Sequence, residues 1–321
     1  MRNRIVVCGG RWLALAALLS AGLNGALAQV ASGSAGASGA AENGTTAEVA
    51  FYSPVLAKSM SYIVYLPAGY DLTSQTRYPV LYLLHGRGGS MKEWLKIKPD
   101  LDQMISARQI PPVIAILPDA PSSNRAGYYI DSRFTGAGKL PPGERVETAF
   151  TTDLISHVDT RYRTLAGRTG RVLAGFSMGG YGAMRFALAH SDLFRAAIIL
   201  SPAVYHPLPA PDSSTREFGA FGNGSLIFDE NIYAQNNYPA TLPLFEAQGL
   251  PLVMFIAAGD DEGLATNPAE ASHEIDYEAH TLYNKIRRVK NISSQFRVVN
   301  GGHNWDTWQP TFIEGARYIF K

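Results

Sequence analysis

Short, continuous apolar runs recur along this chain, and segments with helical periodicity separate them. The runs occupy residues 79–84, 112–117, 171–174, 196–201 and 252–258. A strand without a polar face must be covered on both sides, which is typical of parallel strands in α/β proteins. The alternation of these runs with helices therefore predicts an α/β fold, in which a doubly wound, mostly parallel sheet carries helices on both faces.

Other segments complete this arrangement. Residues 61–66 alternate like an antiparallel strand, and we expect the last strand at residues 295–299. The apolar residues of 203–247 follow neither the helical period of 3.6 residues nor the strand period of two. We therefore expect an irregular segment that lies over the end of the sheet. Helical periodicity predicts further helices at residues 91–108, 147–163, 270–288 and 309–320.

The first 28 residues have the pattern of a secretory signal peptide. Arginines at positions 2, 4 and 11 precede an apolar stretch, residues 12–23. This stretch is too short to span a bilayer comfortably. Ala26-Leu27-Ala28 forms a small-x-small cleavage site. We therefore expect an exported protein, periplasmic or extracellular, that begins at Gln29 and has no stable insertion in the membrane.

The rest of the chain divides into a leader and one domain. Residues 29–47 are rich in Ala, Gly and Ser and predict a flexible leader, whereas residues 48–321 are long enough for a single α/β domain. Cleavage removes Cys8, the one cysteine, so no disulfide can form and the core alone must hold the domain. Cleavage also leaves 25 basic against 27 acidic side chains, and this balance gives no reason to expect nucleic acid or an anionic membrane as a partner.

Gly175-Phe176-Ser177-Met178-Gly179 has the pattern Gly-x-Ser-x-Gly between a predicted buried strand and a predicted helix. A sharp strand–turn–helix connection holds such a serine in a strained conformation that exposes its hydroxyl. The two glycines suit the close crossing of strand and helix, where a side chain would collide. A glycine-rich turn with a capping serine is the alternative interpretation, but the flanking elements favour a serine nucleophile at Ser177.

A serine nucleophile needs a base to take its proton. In this kind of fold the acid and the histidine follow the serine along the chain. His303 has the required position, because it follows the last predicted strand in a loop opened by Gly301-Gly302 and precedes the last helix. The other histidines lie on predicted helices, at a strand end or in the irregular segment, so we predict His303 as the base.

The base needs a carboxylate that orients it, and three acids are candidates. Asp260, Asp261 and Glu262 all follow the strand predicted at residues 252–258, and spacing does not choose among them. His303 and Asp306, together with these acids, match no recognised metal-ligand spacing. We therefore expect no metal and no cofactor.

The oxyanion formed by nucleophilic attack needs donors that already face it. The backbone N–H of the residue after the nucleophile, Met178, supplies one. The second should come from the loop after a neighbouring strand, and the glycines of His85-Gly86-Arg87-Gly88 let backbone approach a substrate there. We expect the backbone N–H of Arg87 to be that second donor.

Residues 78–86, 175–183 and 301–308 together resemble the esterase D / feruloyl esterase group of α/β-hydrolases, in which bacterial mycolyltransferases are distant members. The resemblance covers about residues 48–321. It implies that the acid stands three positions after the glycine that ends its strand, and counting from Gly259 gives Glu262. Most relatives have Asp there, whereas mycolyltransferases have Glu. The resemblance also implies Arg87 and Met178 as the oxyanion donors.

These observations predict a secreted serine carboxylic ester hydrolase that acts through an acyl-enzyme, with small or polysaccharide-linked acyl or feruloyl esters as substrates. Acyl transfer to an alcohol and a non-catalytic secreted binding module are the two alternatives.

Six aromatic side chains lie near the predicted strand ends. They could line an acyl or aryl pocket, or they could belong to the core. These residues are Trp94, Tyr128, Tyr129, Tyr205, Trp305 and Trp308.

Overall fold

The computed structural model describes residues 43–71, 73–120, 125–263 and 273–321. The expected signal peptide and most of the expected leader lie outside these residues. None of the helices in the described ranges combines the length and the apolar character that a membrane span requires.

The described residues form ten strands. Eight of them make one sheet in the order β1-β2-β4-β3-β6-β7-β9-β10, in which β2 pairs antiparallel with β1 and β4 and the other pairs are parallel. The remaining two, β5 and β8, form a separate short pair. The strands are β1 (Thr45–Ser53), β2 (Lys58–Leu66), β3 (Val80–Leu84), β4 (Ile114–Pro118), β5 (Arg133–Phe134), β6 (Arg171–Phe176), β7 (Ala196–Leu200), β8 (Asn223–Gly224), β9 (Leu252–Asp261) and β10 (Ile292–Gly302).

Helices connect these strands. A 3-10 helix, Met91–Ile97, leads into the first α-helix, and a π-helix, Ala149–Leu154, joins the second to the third. The α-helices are α1 (Lys98–Ser106), α2 (Val146–Thr148), α3 (Ile155–Arg161), α4 (Met178–Ala189), α5 (Glu230–Asn236), α6 (Tyr238–Gln248), α7 (Ile275–Ile286) and α8 (Trp305–Ile319).

The central strands are covered on both faces. In β3, Val80, Tyr82 and Leu84 join a core cluster with α3, α4, α6 and α7, whereas Leu81 and Leu83 join a second cluster with α1 and α8. All five side chains are fully buried. The apolar runs are thus parallel strands between two helical layers, which confirms the predicted doubly wound α/β architecture.

The prediction for residues 203–247 was wrong in part, because α5 and α6 lie within that segment. Helix α6 buries Thr241 and Phe245 but exposes Leu244, so its sequence has no clean apolar face, and Pro243 lies inside it. Strand β1 begins at Thr45 and so includes the last residues assigned to the leader. Its side chains are mostly exposed, and only in its second half do Val49, Phe51 and Ser53 alternate inward, which is a short pattern from which to predict a strand.

Candidate active site

Ser177 occupies the sharp turn between β6 and α4. Its backbone lies in the left-handed region, with φ 56° and ψ −123°, where a residue other than glycine is strained. The turn is fastened from two sides, because the Ser177 N–H donates to Leu200 O over 2.9 Å and the Ala203 N–H donates to Ser177 O over 3.0 Å. The end of β7 and the segment that follows it therefore hold the strained residue in place.

The glycines around Ser177 are required by close backbone contacts. A Cβ atom at Gly175 would lie 2.0 Å from Gly179 O, and one at Gly179 would lie 2.1 Å from Leu84 O. A Cβ atom at Gly86 would lie 3.4 Å from Ser177 Cβ. The loop after β3 consequently passes directly beside the serine.

His303 lies between β10 and α8, and its ring contacts a buried carboxylate. The Nδ1 atom of His303 donates to Oε2 of Glu262 over 2.6 Å. The side chain of Glu262 is 1% exposed, whereas that of His303 is 30% exposed. Trp308 packs edge-on against the imidazole, with 5.0 Å between ring centroids. With Nδ1 engaged, the other ring nitrogen, Nε2, is the one available for proton transfer.

The second oxygen of Glu262 is also held. Oε1 accepts from the hydroxyl of Ser201 over 2.5 Å and from the N–H of Gly259 over 2.6 Å. The indole N–H of Trp308 donates to the Ser201 hydroxyl over 2.9 Å. Ser201 is fully buried and connects Trp308 to the Glu262–His303 pair. The sequence analysis did not identify Ser201. The one feature of the sequence that could have pointed to it is its position directly after β7, the strand that pairs with β9.

The other two candidate acids point elsewhere. Asp260 and Asp261 are both exposed. Oδ1 of Asp260 accepts from the backbone N–H of Gly301 over 3.0 Å and so fastens the loop that carries His303. Of the three consecutive acids, the structure brings only Glu262 to the imidazole.

A buried histidine, His85, holds the loop after β3 in place. His85 is fully buried, its Nδ1 donates to Gly86 O over 2.8 Å, and its Nε2 accepts from the Ala120 N–H over 2.9 Å. Burial lowers the pKa of His85, which keeps the ring neutral with this pattern of donor and acceptor. Tyr129 donates to His85 O over 3.1 Å. His85 therefore joins the loops after β3 and β4 and fixes the backbone next to Arg87.

Of the two backbone positions expected to bind an oxyanion, Met178 directly follows the serine, and Arg87 follows Gly86, whose added Cβ would lie 3.4 Å from Ser177 Cβ. Met178 is the first residue of α4 and is fully buried. Arg87 follows Gly86 in the loop after β3, and its side chain is exposed. The N-terminus of α4 and the glycine-containing loop after β3 thus both lie next to Ser177.

The aromatic side chains divide between the core and the surface. Trp94, Tyr128 and Tyr129 are at most 3% exposed and belong to the core, and Trp308 is also buried. Tyr205 and Trp305 are partly exposed. Of the six expected aromatic residues, only these last two are not buried.

Across the residues that the structure describes, no group of three or more His, Cys, Asp or Glu side chains could hold a metal ion.

Sequence relatives of this chain carry the names of esterases. The chain is 30% identical over 196 residues to the endo-1,4-beta-xylanase/feruloyl esterase of Xylanibacter ruminicola, a match that covers 59% of this chain and 26% of that protein. It is 25% identical over 289 residues to the acetyl esterase of Caldicellulosiruptor saccharolyticus, covering 85% of this chain and 97% of that protein. The chain thus spans about a quarter of the length of the first relative.

A solved structure with the same fold is that of a ferulic acid esterase. It superimposes with a TM-score of 0.67 at 23% sequence identity and covers 87% of this chain and 98% of the other. This likeness confirms the α/β-hydrolase fold. The model of the Esterase family matches residues 53–319, nearly the whole of the described domain. The chain therefore belongs to the Esterase family.

Proposed function

We propose that this protein is a serine carboxylic ester hydrolase that acts through an acyl-enzyme. The observation that carries the proposal is the hydrogen bond between the buried Glu262 carboxylate and Nδ1 of His303, at the same end of the sheet as the strained Ser177 turn. Membership of the Esterase family supports the reaction class.

The proposed reaction begins with attack of the Ser177 hydroxyl on the ester carbonyl, while Nε2 of His303 takes the hydroxyl proton. Glu262 keeps the imidazole in the required orientation and stabilises its charged form. Backbone N–H groups of Met178 and Arg87 bind the oxyanion of the tetrahedral intermediate.

Collapse of that intermediate releases the alcohol, which takes the proton back from His303, and leaves an acyl group on Ser177. Water then attacks the acyl-enzyme with His303 again as base, and the carboxylic acid leaves. Because the Glu262 carboxylate accepts three hydrogen bonds, its orientation is fixed before substrate arrives, as an effective site requires.

For the substrate, we propose acyl or feruloyl esters carried by polysaccharides and met outside the cytoplasm. The sequence relatives are named as feruloyl and acetyl esterases. The signal-peptide pattern of the first 28 residues supports an exported enzyme. Tyr205 and Trp305, the partly exposed aromatic residues, could contact an aryl or sugar ring.

The test of the proposal compares Ser177→Ala with Ser156→Ala on 4-nitrophenyl acetate. Ser156 lies exposed on α3, so the control removes a hydroxyl away from the site. We expect Ser177→Ala to lower kcat by about 10⁴-fold or more, as removal of a nucleophile does, and Ser156→Ala to keep wild-type rates. Equal rates in wild type and Ser177→Ala would reject the proposed nucleophile. A wild-type protein without activity on any ester would favour the binding module instead.

A further inference from the structure

Arg87 carries an exposed positive charge that no acid of the described domain neutralises. Among residues 43–71, 73–120, 125–263 and 273–321, its resolved side-chain contact is with the ring of Phe218, 5.8 Å from guanidinium carbon to ring centroid. Arginines nearby differ, since Arg125 pairs with Asp119 and Arg185 with Glu147. Within the described ranges, no acceptor binds the guanidinium of Arg87, which leaves its hydrogen-bond donors for a ligand.

This free charge lies close to the serine. Arg87 directly follows Gly86, the residue at which a Cβ atom would be in van der Waals contact with Ser177 Cβ. Its backbone N–H is one of the two proposed oxyanion donors, so its side chain begins at the reacting carbonyl. The guanidinium is therefore separated from the ester of a substrate bound at Ser177 by at most about the length of the Arg87 side chain.

Phe218 shows which part of the chain faces the charge. Its ring lies 5.8 Å from the guanidinium carbon of Arg87, and it belongs to the segment between β7 and β8 whose Ala203 N–H is bound to Ser177 O. The same segment carries the partly exposed Tyr205. We call the guanidinium of Arg87, the Phe218 ring and Tyr205 the Arg87 side.

We propose that the Arg87 side selects esters that bear a carboxylate near the ester group. A guanidinium without a partner binds a carboxylate through two parallel hydrogen bonds, and neighbouring aromatic rings can cover the apolar face of a sugar or acyl chain. The chemical class is an ester of an acidic sugar, such as a uronic acid, or an acyl group that ends in a carboxylate. The inference rests on the proposed function, whose site it refines.

The experiment uses two matched pairs of esters in which a carboxamide replaces a carboxylate, and each enzymatic rate is divided by that ester's spontaneous hydrolysis rate to remove the difference in intrinsic reactivity. For the alcohol part, the pair is 4-acetoxybenzoate and 4-acetoxybenzamide. For the acyl part, it is mono-4-nitrophenyl adipate and the corresponding terminal amide. The readout is the ratio of kcat/KM for the anionic ester to that for its neutral partner, because this ratio cancels any change in the backbone donors of the loop.

We expect the wild-type ratio to reach about five for at least one pair, a modest value because the contact is partly exposed to solvent. Arg87→Gln should bring the ratio to about one, and Arg87→Glu should bring it below one, by like-charge repulsion. Lys290→Gln is the matched control, since it removes one exposed charge just before β10, at the end of that strand away from His303, and should keep the wild-type ratio. The pair that responds identifies whether the carboxylate belongs to the acyl or the alcohol part.

A wild-type ratio of one for both pairs would overturn the inference, and so would a preference that persists unchanged in Arg87→Gln. These outcomes are distinct from failure of the proposed function. If Ser177→Ala still hydrolyses all four esters, the nucleophile is wrong. If Ser177→Ala is inactive but the ratios do not depend on Arg87, only the assignment of the Arg87 side fails.

Discussion

The three acids after β9 are neighbours in sequence, and the direction of each side chain separates their roles. Asp260 and Asp261 point outward, whereas Glu262 turns inward and contacts His303. Spacing alone could not choose among them, because a chain that leaves a strand can turn any of three successive residues inward. The resemblance to known esterases pointed to Glu262, and Glu262 is the acid of the three whose carboxylate contacts His303.

Replacement of Glu262 by Gln removes the charge that stabilises protonated His303 and keeps a side chain of the same size. We expect kcat on 4-nitrophenyl acetate to fall about 10²- to 10⁴-fold, as for other triads that lose the acid. Asp260→Asn and Asp261→Asn are the controls and should stay within about threefold of wild type, the scale on which exposed charges act. A larger loss in either control than in Glu262→Gln would assign the acid to another residue.

Ser201 is a positioning residue, because it contacts Glu262 and Trp308 rather than a substrate. Ser201→Ala keeps the left-handed backbone equally strained, with φ 40° in the wild type, and deletes only the hydroxyl. Loss of one hydrogen bond to a charged group should lower kcat by about tenfold, with KM nearly unchanged. Steady-state kinetics with folded protein checks this, and a change confined to KM would contradict the positioning role.

At the scale of elements, the first turn of α4 packs closely against the ends of β3 and β6. Glycine is needed there because the helix and strand backbones nearly touch, and the pattern Gly-x-Ser-x-Gly predicted this crossing correctly. The strands covered on both faces were equally predictable, since a short continuous apolar run between helical segments is typical of a parallel strand. By contrast, β1, α5 and α6 were not predicted, because β1 is mostly exposed and alternates only in its second half, and α6 has a mixed surface.

Gly179→Ala tests the close crossing of α4 and β3. The added Cβ would meet Leu84 O at 2.1 Å, so the helix must shift, and we expect a loss of about 2 kcal/mol or more in the free energy of unfolding. Gly167→Ala is the control, because Gly167 has extended backbone and no atom within 4 Å of an added Cβ. Urea denaturation of both variants gives the comparison. A Gly179→Ala protein as stable as wild type would show that the crossing tolerates a side chain.

Helix α7 carries a buried carboxyl group, Glu278, that accepts a hydrogen bond from the His206 N–H over 2.8 Å. Burial raises the pKa of Glu278 from 4.5 to about 8. Between these two values the folded protein holds a proton that the unfolded chain releases. The contribution of Glu278 to stability is therefore complete below about pH 4.5 and is lost as the pH rises through about 8.

Glu278→Gln cannot ionise and keeps the acceptor for the His206 N–H. We expect the variant to gain stability relative to wild type as the pH increases from 5 to 9, by on the order of 2 kcal/mol in total. Denaturant unfolding at several pH values measures this difference, and groups common to both proteins cancel. A difference that does not change with pH would contradict the raised pKa.

At the scale of the whole molecule, the sheet order brings distant parts of the chain together at the carboxyl ends of the parallel strands. The loop after β3, the β6–α4 turn, the end of β9 and the β10–α8 loop all lie at carboxyl ends of parallel strands. The carboxyl ends of the strands are where α/β sheets bind ligands. Ser177 and His303 could be proposed from the sequence because this topology fixes their order, whereas the Ser201–Trp308 connection depends on side-chain packing and could not.

The central claim is that Ser177 carries the acyl group during turnover. The most direct measurement is peptide mass spectrometry of enzyme quenched with acid during hydrolysis of 4-nitrophenyl acetate. We predict an acetyl group on Ser177 in the wild type and none at that position in Ser177→Ala. Steady turnover of the ester with no acyl group on Ser177, under conditions where release of the acid limits the rate, would contradict the claim.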